Sequence, residues 1–396
     1  MKKLFYITVI ILIIIPIEKK GQSKVINDDI ITVDVRKNYS SKKDLTLQDF
    51  MDVEYIMLET KDGFYTQGEV LDVSKNYIIV RNRVLDGDIF IFNRNGKAIC
   101  KINRMGQGPG EYTSWSLLGG IRINEDNNEI ILYAGNLRTF IVYDLSGKFK
   151  RSFKQKEKTI SSYNSTYDSP FISFYRDVFN YNNDNLICNY VHIKDGISFE
   201  IISKQDAGIT KEIYIPYKEQ LLLQHRDATA YPGFPIHTMI PYNDNWLLSE
   251  ISTDTIFTLL QDYTLRPFIV RTPSIQSMEP KVFLLLRLMS SRYYFMETIK
   301  IRTVTDYPQT FFVYDTQEKG FFSYKVYNGD YTIKREIIMN RLFPVNHEIA
   351  SWQKLEAFQL IESYKKGELK DNKLKEIAAK LNEEDNPVIM LVKHKK

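Results

Sequence analysis

The sequence holds only two cysteines, Cys100 and Cys188. They stand far apart in apolar, strand-like runs, so no disulfide framework organises the chain, and each is expected to act as a small hydrophobe. An excess of charge of one sign is also missing, since 53 basic residues face 49 acidic ones. That balance excludes the basic footprint of a nucleic-acid binder at the level of the whole chain. Glycine (18) and proline (13) are few beside 26 Tyr and 23 Phe. Aromatic residues suit pleated surfaces, so the composition leans towards β structure. With 43% hydrophobic residues the chain can bury one large core or two ordinary ones, which excludes disorder and a stapled mini-fold.

The apolar run at residues 5–17, FYITVIILIIIPI, falls short of the ~20 residues that a membrane-spanning helix needs. It fits the apolar core of a secretory signal peptide, with Lys2 and Lys3 as the positive start and Gly21-Gln22-Ser23 as a small-x-small cleavage site. The expectation is therefore a signal peptide over residues 1–23 and a mature chain over 24–396, in the periplasm or outside the cell. An uncleaved N-terminal anchor is the alternative. No cysteine stands near the site, so a lipid anchor is not expected. Removing residues 1–23 takes away four lysines and Glu18 and leaves the mature chain almost neutral.

A repeat decides the fold class. Asn or Asp, one variable residue and three apolar residues recur at Asn76 (NYIIV), Asn128 (NEIIL), Asp184 (DNLIC) and Asp244 (DNWLL). The steps are roughly 52–60 residues, the size of one propeller blade. A second strand follows each unit, as in IFIFNRNGK from Ile89 and FIVYDLSGK from Phe140. Alternating apolar residues argue for strands, and Asn95-Gly96 and Ser146-Gly147 argue for hairpin turns. FFVYDTQEKG from Phe311 continues the series. The chain length accommodates six units, so the prediction is all-β: a six-bladed β-propeller of four-stranded antiparallel blades. The sixth blade should combine residues 31–35 and 54–58 with a closing strand over 388–392. Residues 280–289 (PKVFLLLRLM) read either as a short buried helix or as an apolar strand. Residues 351–381 read as an amphipathic helical excursion, with Trp352, Leu355, Phe358 and Ile361 on one face and Asp371 as a candidate N-cap.

The most distinctive segment is INRMGQGPGEY, residues 102–112. Its Gly106, Gly108, Pro109, Gly110, Glu111 and Tyr112 resemble the G-x-G-P-G-E-[YF] signature of the six-bladed, NHL-like β-propellers of Bacteroidetes exported proteins, a domain-of-unknown-function family. Thr253-Asp254-Thr255-Ile256-Phe257 is similar to that family's S-D-T-I-Y strand, and residues 383–388 to its ending. The resemblance spans the mature chain and implies fold and compartment, with no catalytic residue to carry over. Many members carry a lipidated cysteine that this chain lacks.

Signatures of chemistry are sparse. The glycine loop has neither the Gly-Lys-Ser/Thr ending of a P-loop nor a dinucleotide fingerprint, so it reads as a structural turn between blades. Arg104 and Glu111 flank that turn and are placed to pair across it. The five histidines are dispersed, without H-x-x-x-H or C-x-x-C spacing, and no calcium loop is present. No metal site is therefore assigned, and no cofactor. A divalent cation such as calcium, held by Asp184 and Asp244 at a channel mouth, stays as an alternative to plain turn capping. There is no G-x-S-x-G elbow. His225, Arg226 and Asp227 form the one compact trio of functional types, in a long irregular segment. Residues 148–158, KFKRSFKQKEK, are locally basic with two Phe and fit an exposed outer strand. No catalytic residue is assigned. The expected role is a monomeric recognition module for a glycan, peptide or envelope protein. The alternative is a hydrolase or lyase working in the central channel.

Overall fold

The computed structural model describes residues 30–82, 86–113, 120–156, 175–194, 197–223 and 233–395. Six antiparallel sheets form a six-bladed propeller. Blade 1 comprises Glu69–Val73, Tyr77–Arg81, Ile89–Asn93 and Ala98–Ile102, from the axis outward. Blade 2 follows with Ile121–Asn124, Glu129–Ala134, Thr139–Tyr143 and Phe149–Lys154, and blade 3 with Tyr175–Asn180, Asn185–Lys194, Ile197–Ser203 and Ile209–Tyr214. Met239–Tyr242, Asn245–Ser249, Thr255–Leu259 and Leu265–Thr272 make blade 4. Val282–Met289, Tyr293–Lys300, Gln309–Asp315 and Gly320–Asn328 make blade 5.

The repeat units fall where blade physics puts them. Asn76, Asn128, Asp184 and Asp244 each stand immediately before the second strand of a blade. Asn128 and Asp244 hold left-handed backbone, φ 51° and 58°, which Asx side chains tolerate. Gly96 and Gly147, at φ 82° and 84°, close the outer hairpins of blades 1 and 2. Between the blades, apolar faces interdigitate. Ile89, Ile91, Ile130 and Leu132 join blades 1 and 2, and Tyr133, Phe140, Val178 and Cys188 join blades 2 and 3. Both cysteines are free thiols.

Blade 6 closes the ring. Val388–His394 is hydrogen-bonded between Ile349–Leu355 and Met51–Met57, antiparallel to both. This blade has three regular strands, and residues 342–345, which include Pro344, lead into it without forming a fourth. They are held by Ser351 Oγ on the Phe343 carbonyl (2.9 Å) and by the Asn346 turn, whose Oδ1 accepts from Ile349 N at 2.8 Å.

Several expectations are corrected. Residues 31–35 do not join the sixth blade. Ile31–Asp34 lies parallel on the outer strand of blade 4, and Lys42–Thr46 lies parallel on that of blade 5. Those two blades therefore exceed four strands. The helical excursion is shorter than 351–381. Trp352 and Leu355 belong to the strand Ile349–Leu355, where Trp352 packs in the seam with blade 1, and only Ala357–Lys365 and Lys373–Ala378 are helical. The N-cap is Asn372, which accepts from Leu374 N at 3.1 Å, whereas Asp371 pairs with Lys375 at 2.6 Å. Residues 280–289 contain the fully buried strand Val282–Met289. Among the described residues no helix is long and apolar enough to cross a membrane.

Candidate functional site

In an antiparallel blade the connection from second to third strand and the connection to the next blade leave from one face of the ring. The short turns lie on the other. The long connections here all use the first face, so the channel mouth on that side is where functional groups should be sought.

The strands nearest the axis carry polar side chains that tie neighbouring blades together. Asp72 of blade 1 is buried and accepts the Ile123 N–H of blade 2 at 2.7 Å. Burial pushes its carboxyl up to about 6. Arg122 returns the contact, donating from Nη1 to the Leu71 carbonyl at 2.8 Å, with its guanidinium over the Phe179 ring at 4.3 Å. Asn180 donates to the Ile123 carbonyl at 2.9 Å, and Asn346 to that of Val73 at 2.7 Å.

At the mouth with the long connections, His237 of blade 4 lies beside Arg287, which pairs with Glu297 inside blade 5, while Asp177 of blade 3 meets Thr238 of blade 4 and Glu250 is buried just after Asn245–Ser249. Burial, reinforced by the Arg287 charge, holds the His237 imidazole down at about 3. The ring is therefore neutral at physiological pH. Its Nε2 lies 3.0 Å from the Leu342 carbonyl, which can only accept, so the ring proton sits on that nitrogen. Arg287 donates to the Pro235 carbonyl at 2.6 Å and pairs with Glu297. Thr238 donates to Asp177 at 3.3 Å, and Glu250 accepts from Ser252 N at 3.1 Å. Burial raises both of these carboxyls. Among the described residues no three His, Cys, Asp or Glu side chains are grouped to hold a metal ion.

The glycine loop runs from blade 1 towards blade 2. Glu111 folds back to accept the Gly108 N–H at 2.8 Å, and a Cβ on Gly106 would stand 1.9 Å from that carboxylate. Gly110 has φ 76°, and a Cβ there would collide with the Phe149 ring at 2.4 Å. Tyr112 is fully buried and donates to the Gly87 carbonyl at 2.8 Å, while Tyr143 donates to that of Gly110 at 2.6 Å.

The family profile described as Domain of unknown function (DUF4934) matches residues 30–393. The chain belongs to the DUF4934 family. A protein described as exported, from Bacteroides fragilis, shares the fold at 16% identity with a TM-score of 0.55, covering 93% of this chain and 100% of that one. A member of the DUF4221 family from Bacteroides vulgatus aligns at 11% identity and TM-score 0.47, covering 87% and 98%. Virginiamycin B lyase from Staphylococcus aureus aligns at 10% identity and TM-score 0.34, covering 71% and 94%. The last two are too distant in shape to carry an argument. No curated protein matches the sequence.

For this DUF4934 chain, the trio His225, Arg226 and Asp227 lies outside the described residues. Arg104 and Glu111 are not brought together as an ion pair, since the Glu111 carboxylate turns inward to the Gly108 N–H instead. Asp184 and Asp244 sit in separate inner turns of blades 3 and 4. Sequence reasoning missed Asp72, Arg122, His237, Arg287 and Glu297. One signal was available: Arg287 interrupts the apolar run VFLLLRLM, and a cation inside a fully buried strand requires a partner.

Proposed function

We propose that this DUF4934 propeller is a non-catalytic recognition module of the cell envelope, acting as a monomer on a glycan, peptide or partner protein. It works without a lipid anchor, after removal of residues 1–23. The reading is carried by the distribution of exposed large apolar side chains. Those that lie in connections, including Tyr65, Met105, Leu222, Ile338, Phe343 and Phe358, all stand in the connections of one face, and among the described residues the short turns of the opposite face carry none. Rims of this kind suit recognition, because aromatic and aliphatic groups gain from burial against a partner or a sugar ring. The polar groups of the channel support the same reading, since Asp72, Arg122, Asn180, His237 and Arg287 are committed to main-chain groups of neighbouring segments.

The test is a glycan and peptide array probed with the mature chain and with Tyr65→Ala and Phe343→Ala. Binding that weakens in these variants, at unchanged melting temperature, supports the proposal. Turnover of an ester, lactone or polysaccharide that disappears in Asp177→Asn or His237→Gln would replace it with the hydrolase or lyase reading. Export is checked separately by mass spectrometry of the protein from its own host, where retention of residues 1–23 would refute it.

A further inference from the structure

We infer that the outer edge of blade 2, at residues 151–154, is a strand-addition site for an acidic extended segment of a partner protein. The chain already adds strands to its own outer edges. On blade 4 the outer strand bulges between its pairings with Ile256 and Phe257, and the N-terminal strand Ile31–Asp34 docks on the regular stretch beyond that bulge, parallel, over four residues from Ile269 to Thr272. Blade 2 repeats this geometry. Its outer strand bulges between the pairings of Val142 and Tyr143, and beyond the bulge Arg151, Ser152, Phe153 and Lys154 continue in regular register. Among the described residues no strand covers this edge, whereas blades 4 and 5 are both covered. An uncovered edge presents a row of unpaired N–H and C=O groups, the template used in strand addition.

Charge selects the occupant. Residues 148–156 contain Lys148, Lys150, Arg151, Lys154 and Lys156 and no acid. Glu129 engages Lys150 at 2.8 Å and Arg151 at 2.5 Å, and Lys156 reaches Asp206 only at 3.6 Å. Lys148 and Lys154 make no ion pair among the described residues. Phe153 stacks on Phe140 with centroids 5.1 Å apart and stays half-buried, so it offers an apolar shelf on the face of the strand opposite Lys154. The edge therefore fits a strand that alternates carboxylate and aliphatic side chains, the carboxylates meeting Lys154 on one face of the sheet and the aliphatic groups meeting Phe153 on the other. This surface is on the perimeter of the ring and is independent of the face carrying the long connections. Lysines on an edge also deter pairing with other edges. An acidic strand reverses that repulsion.

The experiment is calorimetric titration of the mature chain, at low and at physiological salt, with an eight-residue peptide alternating Asp and Val. The controls are the Lys and Val counterpart and an N-methylated Asp and Val peptide that has lost its donors on one edge. The expected result is binding by the acidic peptide alone, at least tenfold weaker in Lys148→Glu/Lys154→Glu, with circular dichroism melting unchanged in that variant. Equal binding by the N-methylated peptide would overturn strand addition and leave only charge attraction. No binding, or binding indifferent to the two lysines, would overturn the proposal outright. A dimer by sedimentation that the double variant dissociates would assign the edge to a second copy instead.

Discussion

Truncation after Leu381 removes the central strand of the closing blade and tests whether the ring is a single cooperative unit. Val388, Ile389, Met390, Leu391 and Val392 have no exposed surface. At about 1.5–3 kcal/mol for each fully buried aliphatic side chain, their loss costs roughly 8–15 kcal/mol. That equals the whole stability of an ordinary domain, about 5–15 kcal/mol. The cut also removes Asn386, whose amide holds the connection into blade 1 through the Glu59 and Phe64 carbonyls at 2.9 and 2.7 Å and the Thr66 N–H at 2.8 Å. Ile349–Leu355 and Met51–Met57 would each lose their ladder to that strand. The expected outcome is a chain without a cooperative transition in urea, followed by tryptophan fluorescence and near-ultraviolet dichroism. Leu391→Ala supplies the graded version, a loss of about 2–5 kcal/mol. A truncated chain that melts at the midpoint of the full one would refute closure by this strand.

Gly110→Ala should destabilise by more than about 1 kcal/mol, because left-handed backbone and the Phe149 ring both oppose a Cβ; thermal melting checks it, and an unchanged midpoint counts against the packing described. Arg287→Met should cost about 3–5 kcal/mol by leaving Glu297 buried and unpaired, and adding Glu297→Leu should recover most of it, as read from a double-mutant cycle in urea. His237 binds a proton near pH 6.5 when unfolded but only at about 3 when folded. Its contribution to stability is therefore full above pH 6.5 and falls as the pH drops from 6.5 towards 3, by at most about 1.4 kcal/mol per pH unit. Asp72, raised to about 6, acts in the opposite sense: its stabilisation is full below its ordinary value of 3.8 and is lost as the pH rises to 6. The two are separated by comparing urea midpoints of the protein and His237→Gln between pH 7 and 4.5, where identical slopes would refute the assignment.

The ring was legible because each blade repeats a local instruction. An Asx residue turns the chain and a short apolar strand follows, so Asn76 and Asp244 announced Tyr77–Arg81 and Asn245–Ser249 without knowledge of any partner. Pairing between distant segments was not legible in the same way. Four residues such as Ile31–Asp34 read as a strand, but nothing local distinguishes the edge of blade 4 from a place in blade 6. Trp352 and Leu355 share a helical stripe with Phe358 by coincidence of spacing, and tertiary packing, of Trp352 in the seam with blade 1 and of Leu355 against the C-terminal helices, overrides that local preference. The mouth of the channel was the least legible part. Arg287 and Glu297 pair on adjacent strands of blade 5, and His237 comes beside Arg287 only when blades 4 and 5 are side by side.

Among the described residues the ladder partner of Met51–Met57 is Val388–His394, roughly 330 residues further along the chain. Blades 1 to 5 can assemble from neighbouring hairpins, whereas this seam forms only when both ends of the ring are in place, so closure is the least local step of folding. The open arc that precedes it displays a bare strand, and a factor that shields the edge of Met51–Met57 would act before closure and be unnecessary after it.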